Sequence, residues 1–431
     1  MNYALILFLV SFSLIFILRI PIALGMMMST FLYFATAVGP AADLSMTAAQ
    51  FLNQMNSKFV LIAVPLFVFM AEVMNTGKIT DMIFKFAGIV VGKRKGALGH
   101  VNVVASIIFS GMTGSALADA SGLGMMEIKA MNDNGYNRGF SSAITAASAT
   151  IGPIFPPSIP MIFYSMLSGA SIGALFIGGM LPGILIGLAL MVYIAFIAHR
   201  RNYPVGKKVV FREFLAITLK AAPALFSVIV LLGGIYSGIV TPTEAGALAA
   251  LYAIIISVFV YKAMGMKDFL QVIKNTVRTT GTLSLLVGSA YAFSYIIAIE
   301  HIPQMVANWL LGITDNKYFL LFLINIVFII LGMFIDTMAI TLVFIPIVLP
   351  LVTALGINLV HFGVLITLNM MIGLSTPPFG MLLFVVSGIS GTPLKEVIKE
   401  IFPMLLVLFV VLFIVTYIEP VVLFLPGILG M

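Results

Sequence analysis

Long apolar runs separated by short basic links set the pattern of this chain. No Asp, Glu, Lys or Arg occurs between Gly139 and Ala198 or between Thr337 and Leu394, and shorter uncharged runs cover 20–42, 221–243 and 279–299. At about 20 apolar residues per crossing, each long run predicts roughly two to three bilayer spans. The opening MNYALILFLVSFSLIFILR lacks a basic n-region and a small-residue cleavage site, so it reads as a retained first helix.

Shorter stretches carry a helical period with one polar face. In 79–90, Ile79, Met82, Ile83, Phe86 and Val90 share a face opposite Asp81 and Lys85; in 302–313, Ile302, Met305, Val306, Trp309, Leu310 and Ile313 do the same. Both predict helices lying in the membrane surface. The stretches 266–278 and 394–402 are amphipathic in the same way, and read equally as surface helices or as ordinary connections.

The chain also matches itself. At a fixed offset of 221 residues, Gly111-Met112 meets Gly332-Met333, Gly135 meets Gly356, Gly152 meets Gly373, and Pro156-Pro157 meets Pro377-Pro378. Two homologous halves follow. Within each half, 97–130 or 318–353 is interrupted midway by glycines, hydroxyls and an aspartate, which predicts a re-entrant hairpin. The next segment in each half is apolar but broken, as SATIGPIFPPSIP (148–160) and MIGLSTPPFG (371–380). Proline lacks an amide hydrogen, so carbonyls are released at mid-membrane depth, where they survive only around a cavity or an ion.

Composition agrees with this pattern. With 61% hydrophobic and 9% charged residues, and a mean hydropathy of +1.19, a soluble domain is excluded. The absence of cysteine excludes disulfides and thiolate metal sites. The net charge of +7 comes from links between apolar runs, as orientation signals do, and not from a nucleic-acid surface. Placing Arg19 inside puts the N-terminus outside and leaves only Lys58 and Lys317, of 22 Lys and Arg residues, on the external side. Five spans then separate the matched halves. An odd number inverts the repeat, as in many secondary transporters.

Asp119 is the only formally charged residue between Gly96 and Met126, and Asp336 the only one between Tyr318 and Leu394. An ionised carboxylate at that depth needs a partner, and no Lys or Arg shares either stretch. A bound cation is one answer; a helix-capping or protonated carboxyl is the other, and both stay open here. In the repeat Asp336 aligns with Ser115 and Asp119 with Ile340, so the two sites need not be equivalent. TPTEAG (241–246) reads as a capping box through Thr241 and Glu244, or as an exposed contact through Glu244. The four histidines are too scattered for a metal site, and no Gly-rich phosphate loop is present. Two membrane aspartates also allow an intramembrane aspartyl protease, which would leave the inverted repeat unexplained.

Together SGMTGSALADASGLG (110–124), NGYNRGFSSAITAASATIGPIFPPSIPMIFY (134–164), TPTEAG and GLSTPPFGMLLFV (373–385) resemble the large membrane subunit of tripartite ATP-independent periplasmic (TRAP) transporters, the DctM type, within the ion transporter superfamily. The resemblance covers essentially the whole chain. It implies an all-α polytopic protein with two re-entrant hairpins, two broken helices and an elevator-type transport domain on a scaffold. It also implies sodium-driven, multi-pass operation in a bacterial inner membrane. The partners implied are a small four-helix membrane subunit, here a separate chain, and a periplasmic two-lobed binding protein that delivers an organic acid.

Carried over by residue, the resemblance implies a first sodium site around Thr113, Gly114, Ser115 and Asp119 with Thr150 and Gly152. It implies a second around Gly332 and Asp336 with Gly373, Ser375 and Thr376. With no Arg deep in a span, the substrate carboxylate falls to amides, sodium, and hydroxyls such as Ser171 or Thr367. Lys58, Glu244, Glu300, His301 and Lys317 are the implied docking residues for the binding protein. Overall similarity leans to sialic acid over a C4-dicarboxylate; a stand-alone carrier of the same superfamily is the alternative. The expected division is 1–78 scaffold, 79–170 first repeat, 171–280 scaffold and links, 281–391 second repeat, and 392–431 a surface helix with a final span.

Overall fold

The computed structural model describes residues 3–18, 20–37, 43–57, 59–76, 79–314 and 316–431, with side chains described except at 16, 17, 53–57, 59 and 60. Arg19 and Lys58 therefore lie outside the described residues. Everything regular among the described residues is helical.

In chain order the first group is α1 (Tyr3–Leu18), α2 (Ile22–Thr36), α3 (Ser45–Ser57), α4 (Ala63–Thr76) and α5 (Ile79–Val91). The first hairpin follows as α6 (Ala97–Thr113) and α7 (Ala116–Asp133), then the first broken helix as α8 (Arg138–Ala149) and α9 (Ile159–Ser168). Next come α10 (Ile172–Arg200), α11 (Phe211–Tyr236), α12 (Pro242–Ile255), α13 (Met266–Ile299) and α14 (Ile302–Leu311). The second hairpin is α15 (Lys317–Phe334) and α16 (Thr337–Ala354), and the second broken helix α17 (Leu359–Leu374) and α18 (Met381–Ser390). The chain closes with α19 (Leu394–Tyr417) and α20 (Pro420–Ile428).

The expected repeat is visible in these boundaries. Ser115 begins α7 and Asp336 begins α16, at positions 221 residues apart, and α8 and α17 start at the same offset. Both Pro-Pro pairs lie in the breaks and both are cis. One broken helix and α10, α11, α12 and α13 cross between the two hairpins, an odd number, so the halves are inverted. Each hairpin is re-entrant because its tip meets the break of the broken helix beside it, partway along a crossing, as the glycine contacts below show.

Two bodies share the helices. In the first, α13 packs on α2, α3 and α4, and α12 on α4 and α11. Phe8 of α1 meets Phe293 of α13 with ring centres 4.5 Å apart. In the second, both hairpins and both broken helices pack with α10, α19 and α20. The expected division placed α10 among the scaffold helices; its contacts here run to both broken helices and the first hairpin. Those contacts are made through a glycine face: a Cβ on Gly179 would stand 2.2 Å from the Ile154 carbonyl oxygen, and one on Gly187 2.5 Å from Ile107 Cδ1. A side chain at either point would push α10 off the hairpin body.

The amphipathic stretches 266–278 and 394–402 are not separate surface helices. Each is the first part of a long helix, α13 or α19, that continues into the apolar run. Nothing breaks them: Pro403 lies inside α19, and no glycine cap separates the halves. The helix α5 is seated by Ile79, Ile83 and Ala87, with Asp81 and Lys85 exposed. On α14 only Pro303 is buried, leaving Met305 and Trp309 on the outside.

The basic links gather at one end. Lys95 pairs with Val205 in a short bridge, the Gly206 amide donates to the Arg94 carbonyl at 2.9 Å, and Arg201 meets Glu400 at 2.9 Å. Tyr136 and Tyr203 stack with centres 4.3 Å apart.

Candidate ion and substrate site

Each hairpin tip is built by a helix that stops and one that is capped. In the first half, Gly114 ends α6 with a φ of +60° and its amide donates to the Ser110 carbonyl at 3.4 Å. A Cβ there would stand 2.4 Å from the Pro157 carbonyl oxygen, so the tip rests on the break. Only glycine accepts both the backbone angle and the approach. Ser115 then caps α7 by accepting from the Ala118 amide at 3.3 Å. Gly152 sits against the same tip, its absent Cβ 3.3 Å from the Ser115 carbonyl carbon.

In the second half two glycine backbones cross at close range. A Cβ on Gly373 would lie 2.7 Å from Gly332 Cα, and one on Gly332 3.0 Å from Gly373 Cα. The Gly380 amide donates to the Met333 carbonyl at 3.1 Å, tying the break to the tip. Asp336 caps α16, accepting from the Met338 amide at 2.9 Å.

The tips and breaks converge on one small, partly open space. A cavity of about 30 Å³ is lined by Gly114 to Leu117 of one tip, Asp336 to Met338 of the other, Pro153 and Pro160 of one broken helix, and Met371 and Leu374 of the other. That is room for about one water-sized particle.

Polar groups near the tips are left unspent, although of the threonines and Asp119 only Thr337 lines this cavity. Thr113 Oγ1 and Thr337 Oγ1, one beside each tip, are buried without a hydrogen bond. Asp119 is 2% exposed, and neither carboxylate oxygen accepts a hydrogen bond. The polar group facing it is the Ser106 hydroxyl, which instead donates to Ser148 at 3.1 Å. Asp119 is therefore not the cap of α7; Ser115 is. The hydroxyls of Thr150, Ser375 and Thr376 bond their own helix ends, to Ala147 at 2.6 Å and to Ile372 at 3.0 Å and 2.6 Å, which leaves their lone pairs as acceptors.

Asp119 and Asp336 make no hydrogen bond to one another, as a dyad sharing a proton would. Ser171 caps α10, accepting from the Ala174 amide at 3.3 Å, and Thr367 donates to the Gly363 carbonyl at 2.7 Å. Neither lines the small cavity.

Of the residues expected to dock a partner, Glu244 is exposed and forms the capping box with Thr241, accepting from its amide and hydroxyl at 2.8 Å. Lys317 pairs with Glu419 at 3.4 Å, Glu300 accepts from the Tyr33 hydroxyl, and His301 is exposed with a φ of 53°. The alternation of α11, α12 and α13 puts Glu244, Glu300, His301 and Lys317 at the end opposite the basic links.

Sequence reasoning missed a buried polar chain beside Asp119. Asn102 donates to Glu127 at 2.8 Å and to Thr145 at 2.7 Å, and Ser148 donates to Asn102 at 2.7 Å. Glu127 is 1% exposed and its Oε1 has no hydrogen bond. Its spacing of eight residues from Asp119, two turns on one helix face, was the available signal. The second half has a different network: Asn369 donates to the Asn325 side chain at 2.8 Å, and Asn325 to Thr416 at 3.0 Å.

Comparison with known proteins places this geometry. The sialic acid TRAP transporter large permease protein SiaM of Vibrio cholerae is 43% identical over 317 residues, 74% of each chain. The sialic acid TRAP transporter permease protein SiaT of Haemophilus influenzae is 38% identical over 96% of this chain and 67% of its own. The C4-dicarboxylate TRAP transporter large permease protein DctM of Pseudomonas aeruginosa is 37% identical over 88% of this chain and 89% of its own. In fold, the chain is similar to the YdaH transporter of Alcanivorax borkumensis, with a TM-score of 0.67 at 14% identity, over 97% of this chain and 99% of that one. Residues 8–421 match the family model described as tripartite ATP-independent periplasmic transporter, DctM component, and the chain belongs to that family.

Proposed function

We propose that this chain is the large membrane subunit of a sodium-driven TRAP system that imports an organic acid across a bacterial inner membrane, its N-terminus on the periplasmic side. The observation that carries the reading is the meeting of two hairpin tips and two broken helices around one small cavity. The donor types fit an alkali cation: unbonded buried hydroxyl oxygens at Thr113 and Thr337 and the unbonded carboxylate of Asp119, of which Thr337 lines the small cavity. Sodium is a transported species here, and its residues are those of the two tips and breaks, Thr113 to Ser115 with Asp119, Thr150 and Gly152, and Gly332 and Asp336 with Gly373, Ser375 and Thr376.

The division into two bodies supports an elevator motion, with the hairpins, broken helices, α10 and α19 travelling against α1–α4, α12 and α13. A small membrane subunit and a periplasmic binding protein complete the system. The binding protein docks on the face holding Glu244, His301 and the Lys317–Glu419 pair. Sialic acid is the preferred substrate, because SiaM has the higher identity of the relatives compared above.

The test is uptake of radiolabelled sialic acid and, separately, succinate into proteoliposomes holding this chain and its small subunit, with binding protein outside and an imposed sodium gradient. Sodium-dependent uptake only with all three proteins supports the reading. Uptake by this chain alone would favour the stand-alone carrier, and sodium-independent uptake would overturn the ion sites.

A further inference from the structure

A second cavity lies between the start of α6 and the end of α10, at the far end of α6 from the hairpin tip. It measures about 420 Å³ and is lined by Arg94, Lys95, His100, Leu188, Met191, Val192, Ala195 and His199. Its two ends differ. At the end where the basic links gather stand Arg94, Lys95 and His199. Along α10, one apolar stripe runs through Ile184, Leu188, Val192 and Phe196, with Val192 71% exposed. A spacing of four residues keeps that stripe on one outward face.

Among the described residues, neither Arg94 nor Lys95 has a carboxylate within ion-pair distance; the Lys95 ammonium donates instead to the Asn202 side chain at 2.9 Å. The decisive observation is His100. It is 5% exposed, it lines the cavity, and its Nδ1 is buried with no hydrogen bond. A polar nitrogen left without a partner in the wall of a cavity is costly, and a polar group seated beside it would relieve that cost.

We infer that this cavity seats one anionic phospholipid, its phosphate among Arg94, Lys95 and His199, its glycerol or ester oxygens against His100, and an acyl chain along Leu188 and Val192. Cations at the cytoplasmic boundary above an outward apolar groove match that amphiphile in both charge and depth. A free anion would use only the head of the site, and a zwitterionic lipid would gain less from two unpaired cations. The groove lies on the hairpin body, so the lipid would travel with it.

Native mass spectrometry of the purified full chain, with dioleoyl phosphatidylglycerol, dioleoyl phosphatidylcholine or inorganic phosphate added, tests this. The expected result is a one-to-one phosphatidylglycerol adduct that outlasts the phosphatidylcholine adduct. It should fall at least fivefold in the R94Q/K95Q double variant and, independently, in V192W, which fills the groove from its exposed side and leaves the core untouched. Equal retention of both lipids would overturn the charge assignment, and displacement by inorganic phosphate would show a headgroup-free anion site. Unchanged adducts in both variants would place the lipid elsewhere. Loss of the adduct on adding the small subunit, with protection of V192C from a thiol reagent, would make the groove a protein seat and overturn the lipid.

Discussion

Ser115 and Asp336 occupy the same place in the two halves: each opens the second helix of its hairpin, and each accepts a hydrogen bond from that helix's first turn, Ser115 from Ala118 at 3.3 Å and Asp336 from Met338 at 2.9 Å. One bears a hydroxyl and the other a carboxyl. Capping and ion binding can therefore be separated at Asp336 by borrowing the residue its counterpart uses.

Asp336→Ser should keep the cap, leaving the thermal midpoint of the detergent-purified protein near that of the parent. Asp336→Ala should lose about 1 kcal/mol. Both should reduce sodium-driven uptake by tenfold or more. Uptake at the parental level in the serine variant would remove the carboxylate from coupling and leave it a cap alone.

At Asp119 the expectation is reversed in sign. No hydrogen bond reaches either oxygen of this buried carboxyl. Asp119→Leu should therefore stabilise the sodium-free protein by about 1–3 kcal/mol, read as a higher thermal midpoint, while abolishing uptake. The midpoint should also lose its dependence on sodium concentration. A destabilised leucine variant would mean the carboxyl is satisfied in a way the geometry does not show.

The crossing of α15 and α17 leaves no room for a methyl group. Gly373→Ala should cost about 1–3 kcal/mol and impair uptake, because the new Cβ meets Gly332 Cα. Gly427→Ala in α20, where a Cβ would meet nothing within 4 Å, is the matched control and should stay near neutral or rise. Equal midpoints for the two variants would mean the crossing yields easily.

For docking, Glu244→Gln retains the capping box, since Gln can serve in the same position, and removes only the charge. Uptake should then weaken at low binding-protein concentration and recover at high concentration. A loss that is equal at every concentration would point to a transport defect rather than to docking.

The repeat, the hairpins and the breaks were legible because irregular backbone leaves a chemical trace. Gly114, Gly152, Gly332, Gly373 and the two Pro-Pro pairs sit where a Cβ or an amide hydrogen has no place. Which helix neighbours which was not legible: periodicity shows that Gly179 and Gly187 share a face of α10, but not that hairpin residues fill it. Glu127 was passed over because a charge outside the apolar stretch reads as solvated, and only the fold brings Asn102 and Thr145 to it. The same holds for His100, whose neighbours come from the far end of α10.

The small size of the central cavity sets a condition on admission. A space of about 30 Å³ accepts an ion or a water, but no acid with several carbons. On the proposed reading, a substrate must part the tips as it enters, so loading and opening are a single event. Part of the intrinsic affinity is then consumed in separating Gly114 from Pro157, and the measured affinity falls short of the intrinsic one by the scarcity of the parted form. Anything that holds the tips slightly ajar would tighten binding without touching the substrate.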